Sequence, residues 1–433
     1  MTKKSRKKKS VQNRKPIQSH IAITKTYFDD FSRTARKFMK LIGLEPSDFD
    51  ALSKRTKEQL MQVRNTPYRT LAEKGSRVPR RYLDFFNYAI TVHARRNFFG
   101  DPAFNITFME YITHGVSLII AVQNCKTQKY YGYPGQSELL DKIADALDTD
   151  FMDNEEEKFL NHISRLLKTL LMYVSRPNYR YYTCEPQPVA NYQRGRIDNQ
   201  FIVSSIEPER KYFIIDGKSH SAYRLQIYNL FNPDEEMAPV PAEILTDILS
   251  GKIDITANPE ISDEETYILL PVYIQSHVLR RASERMDNKD NIYLNHVLML
   301  SMLAPKVVTA VNGQRLIKAL DITNKPVGYF PFTIMNDAVL LLSFLPLSSP
   351  VTPEGSILQK ELKIQVLDSK YLGMDKFSFY TNTDFDTVPK LKNALQKADM
   401  WHLTEIVPDK KTERREDQIV KRFFTEFKPA MPL

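Results

Sequence analysis

The most chemically specific run in the chain is Ser276-His277-Val278-Leu279-Arg280-Arg281-Ala282-Ser283-Glu284-Arg285. His277, Arg281 and Arg285 recur at i, i+4 and i+8, so a helix brings all three to one face and leaves Leu279 and Met286 to pack elsewhere. One imidazole beside two guanidiniums suits a phosphodiester. Histidine titrates near neutral pH and can move the proton of a ribose 2′-hydroxyl, while arginine forks hold the scissile phosphate and the charge that builds on it. Arg280, between them in sequence, adds a further phosphate contact. This chemistry needs neither a metal nor a cofactor. Ser276 is placed to cap the helix, with the N–H groups of the first turn aimed at an anion. The competing explanation is an ordinary solvated face whose arginines pair with nearby acids.

The elements that would position this face follow from periodicity. Residues 267–274 alternate as a strand does, 277–286 and 292–303 read as helices, and 306–311, 315–322, 327–335 and 338–345 read as strands. Asn312-Gly313 is the strongest hairpin signal in the chain, and Asn336-Asp337 marks another tight reversal. The order β-α-α-β-β-β-β is that of a compact α+β unit. The motif His-x-Leu-x-Arg-x-x-Glu-Arg, after a strand and ahead of a second helix and a hairpin-rich sheet, resembles uncharacterised members of the barnase, colicin and RelE-like ribonuclease superfamily. The resemblance covers residues 266–347, under a fifth of the chain. It implies metal-independent RNA cleavage, or an RNA-binding descendant of that fold, with His277, Arg281 and Arg285 matching the motif. Lys318, Tyr329 and Ser343 are the polar groups that later strands offer to such a site. Toxins of this kind are far shorter chains, a departure from the pattern.

The rest of the chain divides by texture. Residues 1–20 form a basic tail expected to be disordered. Residues 21–178 read as a helical domain of five or six helices: Ser47 with Asp50 resembles a helix start, residues 80–98 carry Leu83, Phe86, Ile90 and His93 at helical spacing, and Phe159, Ile163, Leu166, Leu167 and Leu170 form an apolar stripe behind a first turn of Glu155, Glu156 and Glu157. Residues 179–262 read as a small β-rich section with strands at 179–183, 201–206, 211–215 and 223–228, the last two joined across Asp216-Gly217, and an acidic linker at 257–265. Residues 263–350 are the α+β domain. Residues 351–433 form an extension with strands at 361–367 and 376–380 and a helix at 389–398.

Charge points to the partner. Residues 1–16 carry Lys3, Lys4, Arg6, Lys7, Lys8, Lys9, Arg14 and Lys15 and no acid, which accounts for almost all of the net charge of +9. Such an arm attracts phosphates without regard to sequence, or merely solubilises the chain. Tyr179, Arg180, Tyr181, Tyr182, Tyr192, Arg194 and Arg196 interleave rings and guanidiniums as single-strand binders do, although period-two tyrosines are also what a half-buried strand wants. Arg77, Arg80 and Arg81 with His93, Arg95 and Arg96 bracket one helix.

Exclusions narrow the field. The 433 residues are 42% apolar, enough to bury a sizeable core, and the longest apolar runs, 115–122 and 338–347, are about half of what a membrane span needs. Cys125 and Cys184 are too few for a disulfide scaffold or a cysteine-based zinc site, the histidines lack zinc spacing, and no phosphate loop or hydrolase elbow is present. The expectation is a cytoplasmic, nucleic-acid-acting protein, RNA ahead of DNA, a candidate endoribonuclease of toxin-like type. The alternative is a non-catalytic scaffold whose basic arm supplies affinity. A protein inhibitor or assembly partner is expected as well, and no membrane.

Overall fold

The computed structural model describes residues 24–62, 64–96, 105–127, 136–147, 149–191, 196–231, 237–247, 267–287, 291–335, 337–364 and 366–405. The basic residues Lys3 to Lys15, Tyr192, Arg194 and the linker read at 257–265 lie outside them. The helices are α1 (Lys25–Leu41), α2 (Pro46–Asp50), α3 (Lys54–Leu60), α4 (Arg80–Ala94), α5 (Phe108–Glu110), α6 (Val116–Thr127), α7 (Ser137–Ala146), α8 (Thr149–Val174), α9 (Ser276–Arg285), α10 (Asn291–Leu303), α11 (Pro353–Leu362), α12 (Val366–Tyr371), α13 (Phe377–Asn382) and α14 (Pro389–Lys397). The strands are β1 (Arg64–Asn65), β2 (Arg69–Ala72), β3 (Tyr181–Pro186), β4 (Val189–Asn191), β5 (Arg196–Asp198), β6 (Gln200–Ile206), β7 (Arg210–Ile215), β8 (Lys218–Arg224), β9 (Gln226–Ile227), β10 (Val240–Pro241), β11 (Glu243–Asp247), β12 (Tyr267–Ile274), β13 (Val307–Thr309), β14 (Arg315–Leu320), β15 (Pro326–Met335), β16 (Ala338–Leu341) and β17 (Leu345–Pro346). The fold is α+β. Its contacts define two units, Met1–Arg69 with Ile90–Glu157 and Pro186–Phe201, and Thr70–Ala89 with Lys158–Glu185 and Ile202–Leu433.

In the first unit α1 buries Phe31, Ala35, Phe38 and Met39, the i, i+4, i+7, i+8 stripe of an amphipathic helix, and Thr24 caps it by accepting from the Tyr27 N–H. The helix start read at Ser47 lies two residues earlier. Glu45 and Asp48 close a reciprocal capping box around Pro46, and Ser53 caps a separate α3. A π-helical turn, Tyr111–Gly115, joins α5 to α6. The stretch read as wholly helical also holds β1, which pairs in parallel with β5, and β2. Helix α8 starts at Thr149, so Glu155, Glu156 and Glu157 lie beyond its first turn. Residues 149–154 contain no proline or glycine to stop the helix from running that far back.

The second unit is organised by a sheet with the strand order β13-β14-β15-β16-β12-β8-β7, with β11 beside β12 and β17 beside β15. Its C-terminal part runs β12-α9-α10-β13-β14-β15-β16, as the periodicity indicates. Gly313 takes the left-handed conformation in the β13-β14 turn, and Asp216 with Gly217 does the same between β7 and β8, the pairing that two-residue hairpins require. Strand β8 starts directly after that turn, five residues before the strand read at 223. Strands β12 and β16 are parallel, with Ile274 opposite Leu341. Val272, Ile274, Val278, Ala282, Val297, Phe330, Val339 and Leu341 share one core.

Two strands read in the extension are helices. Residues 361–367 divide between the end of α11, which Thr352 caps through the Gly355 N–H and Pro353 opens, and the start of α12. Residues 376–380 enter α13, whose buried pair Phe377 and Tyr380 has i, i+3 spacing, and Asp287 accepts hydrogen bonds from the Ser378 N–H and hydroxyl at its start. The phenylalanine alternation at 377 and 379 mimics a strand. A cap from a residue distant in sequence decides otherwise.

Candidate anion-binding site at the start of helix α9

Helix α9 leaves the sheet at the carboxyl end of β12. It buries Val278, Leu279 and Ala282, which turns positions 277, 280, 281 and 284 outward. No acid lies in its first turn, where the helix dipole favours negative charge, and the side chains there include His277. Gln275, in extended backbone at the N-cap, is buried, does not cap the helix, and has an amide nitrogen with no partner. Ser276, the expected cap, is the first helical residue instead and is exposed.

Strand β16 ends beside β12 and at the same end of the sheet, so residues 342 and 343 emerge next to α9. The His277 Nε2 lies 2.7 Å from the Leu342 carbonyl oxygen. A carbonyl only accepts, so Nε2 carries the proton and, in the neutral ring, Nδ1 keeps its lone pair. Arg281 donates from Nη1 to the Ser343 hydroxyl at 2.7 Å, is exposed, and pairs with no carboxylate among the described residues. Phe344 fixes this segment: a Cβ on Gly328 of β15 would lie 2.6 Å from the Leu345 carbonyl and run into the Phe344 ring, so only glycine permits this approach.

The third member of the expected triad is committed elsewhere. Arg285 forms an ion pair with Asp375, and burial pulls its guanidinium below the usual arginine range, Glu284 opposing and Arg281 adding to the shift. The structure thus brings His277 and Arg281 to consecutive residues and assigns Arg285 to a structural pair. Arg280 is exposed and lies 3.8 Å from Glu284 one turn on. Tyr329 is buried and donates its hydroxyl to Glu354; burial first, and then that carboxylate, pushes its pKa far up, so it is not a site group. Lys318 is its cross-strand partner. Ser343 does reach the site.

Of the tyrosine-rich stretch, Tyr181 and Tyr182 begin β3, while Tyr179 lies in the turn ahead of it and is exposed. Tyr181 and Tyr182 are buried, and the Tyr181 hydroxyl accepts from the Gln226 N–H. Arg180, read as a nucleic-acid contact, is buried, pairs with Glu207 at 2.9 Å and donates to the Arg77 carbonyl. Arg196 pairs with Asp198 at 2.7 Å. Each guanidinium already holds a carboxylate of its own fold, Arg180 as a buried side chain and Arg196 as a partly exposed one. Arg77 and Arg80 likewise face Glu207 and Asp84, and His93 is buried.

Gln275 and Asp375 were not visible as site residues. No spacing in the sequence links Asp375 to α9, and Gln275 differs from any exposed glutamine only by its burial. Among the described residues no cluster of three histidine, cysteine or acidic side chains is arranged to hold a metal ion, and no helix is long and apolar enough to cross a membrane. Comparison with protein-family models, with curated proteins and with solved structures finds no match for this chain.

Proposed function

We propose that the chain binds the phosphodiester backbone of nucleic acid, RNA ahead of DNA, at the start of α9, with the basic arm of residues 1–16 adding affinity without sequence preference. One observation carries this: His277 and Arg281 converge on Leu342 and Ser343 where two adjacent parallel strands end. A helix N-terminus without acids favours an anion at the end of the sheet where β12 and β16 finish side by side. Arg281 keeps N–H groups to spare for a phosphate, and the Ser343 hydroxyl beside it can donate a further hydrogen bond.

A second reading rests on the His277 ring. Its Nε2–H is held by the Leu342 carbonyl, which leaves Nδ1 as a base, the arrangement that proton removal from a 2′-hydroxyl needs. On that reading the chain is a metal-independent endoribonuclease, with Arg281 holding the phosphate and Arg285 excluded.

The test is one experiment on the full chain with a labelled oligoribonucleotide. Binding predicts that Arg281→Gln weakens affinity by about 10- to 150-fold, a charged hydrogen bond to phosphate being worth ~1.5–3 kcal/mol. Cleavage predicts that wild type cuts the RNA and His277→Ala does not, at nearly unchanged affinity. Equal affinity of wild type and Arg281→Gln, with no cutting, overturns both.

A further inference from the structure

Strand β7 ends the large sheet of the second unit, and no strand among the described residues pairs with its outer side. An open edge offers N–H and C=O groups to any other strand, and natural edges are blunted by shortness, proline, bulges or inward-turned charges. The opposite edge follows that rule, because β13 is three residues long. Strand β7 does not. It runs for six residues, Arg210-Lys211-Tyr212-Phe213-Ile214-Ile215, contains no proline and pairs with β8 without a register shift. Its inward-turned cation, Lys211, is already held by Asp337 at 2.8 Å.

The side chains of β7 alternate between the two faces of the sheet. Phe213 is buried with Ala222, Tyr273 and Leu340 on one face. On the other, Arg210 lies opposite Tyr223, which lies opposite Ile274 of the main core, so Arg210, Tyr212 and Ile214 share the face that α9 covers further in. There Tyr212 and Ile214 are 61% and 70% exposed. The Arg210 guanidinium lies 5.0 Å over the Tyr212 ring. Arg210 at the start of the strand and Asp216 in the turn after it are exposed, and neither has an ion-pair partner among the described residues.

We propose that the chain forms a two-fold dimer in which β7 pairs antiparallel with β7 of a second copy, joining the two sheets into one. The axis then stands perpendicular to the sheet, so each residue meets one of its own face and the pairing centres on Tyr212, Phe213 or Ile214. Centred on Tyr212, Arg210 would meet Ile214 and Lys211 would meet Phe213. Centred on Ile214, Tyr212 would meet Asp216. Centred on Phe213, Arg210 lies opposite Asp216 of the second copy and Tyr212 opposite Ile214, each twice by symmetry. That register alone matches charge with charge and apolar with apolar, and this self-complementarity selects a second copy over an unrelated strand. The interface is independent of the α9 reading and shares no residue with it.

The experiment is sedimentation velocity of the full chain over a concentration series, followed by disulfide trapping. A monomer–dimer equilibrium is expected, weakened at least about tenfold by Ile214→Asp, which sets a carboxylate against Tyr212. Because Ile214 is exposed, that variant should keep the circular dichroism of the wild type. The Tyr212→Cys and Ile214→Cys proteins, mixed and mildly oxidised, should cross-link to each other, since directly opposed Cβ atoms lie within about 5.5 Å, and neither should cross-link to itself. Wild type, treated alike, accounts for Cys125 and Cys184. Should Ile214→Asp lose the fold, the cysteine pair carries the test. A monomer at every concentration, a dimer indifferent to a folded Ile214→Asp, or trapping by either cysteine protein alone in place of the mixed pair overturns the proposal.

Discussion

The Arg285 to Asp375 pair decides how many cations α9 can offer, and it can be opened deliberately. The side chains keep 27% and 14% of their exposure, between a solvated pair and a sealed one. Removing one partner of a sealed pair costs about 3–5 kcal/mol and of an exposed pair about 0–1 kcal/mol, so Asp375→Asn should destabilise the fold by about 2 kcal/mol. Arg285→Met should do the same, and the double variant should lose less than the sum by about 1–2 kcal/mol. Urea denaturation of the four proteins gives that coupling directly. The same Asp375→Asn variant frees a guanidinium on the face of His277 and Arg281. Its RNA affinity, read by fluorescence anisotropy across salt concentrations, should show a log–log slope steeper by about 0.7, one more phosphate neutralised. Additive single-variant losses together with an unchanged slope would refute the reasoning, since Arg285 would then be neither restrained by Asp375 nor close to bound RNA.

Other consequences concern the scaffold. Tyr228 donates to the Tyr182 carbonyl and meets the Tyr182 N–H and the Ser175 hydroxyl in a buried network, so Tyr228→Phe should lower stability by about 1–3 kcal/mol with an unchanged denaturant slope. Gly328→Ala forces Phe344 away from β15, and should cost about 2–3 kcal/mol in urea denaturation while also weakening RNA binding, because Ser343 moves with its neighbour. His114 has its pKa lowered from 6.5, chiefly by burial, against the raising influence of Asp30 and Glu110 and with Arg33 adding to the lowering. The unfolded imidazole therefore takes up its proton first as the pH falls. Stability from this group is complete above pH 6.5 and declines below it, and His114→Gln should remove that decline in thermal melts.

Local signals account for what the sequence revealed. The hairpin at Asp216-Gly217 needs left-handed backbone at both residues and that at Asn312-Gly313 needs it at Gly313, which aspartate and glycine supply, and β16 is buried along its whole length, so a short apolar run sufficed to mark it. The i, i+4 spacing of His277 and Arg281 likewise placed them together before any fold was known. What escaped reading depends on residues far apart in the chain. Strand β1 is completed by β5, Asn199 caps the exchange by bonding back to Thr66, and α13 is fixed by Asp287. The same distance hid the fate of the cations. Whether a guanidinium awaits a phosphate or already holds a carboxylate is set by its neighbours in space, which is why Arg180, Arg196 and Arg285 left the candidate site and Arg281 stayed.

Hydrogen exchange of the full chain with and without an oligoribonucleotide tests the central claim most directly, because it reports where the nucleic acid rests. Peptides spanning residues 276–285 and 341–344 should exchange more slowly in the complex, and Arg281→Gln should abolish that protection. Protection confined to residues 1–16, with α9 exchanging as in the free protein, would contradict the account.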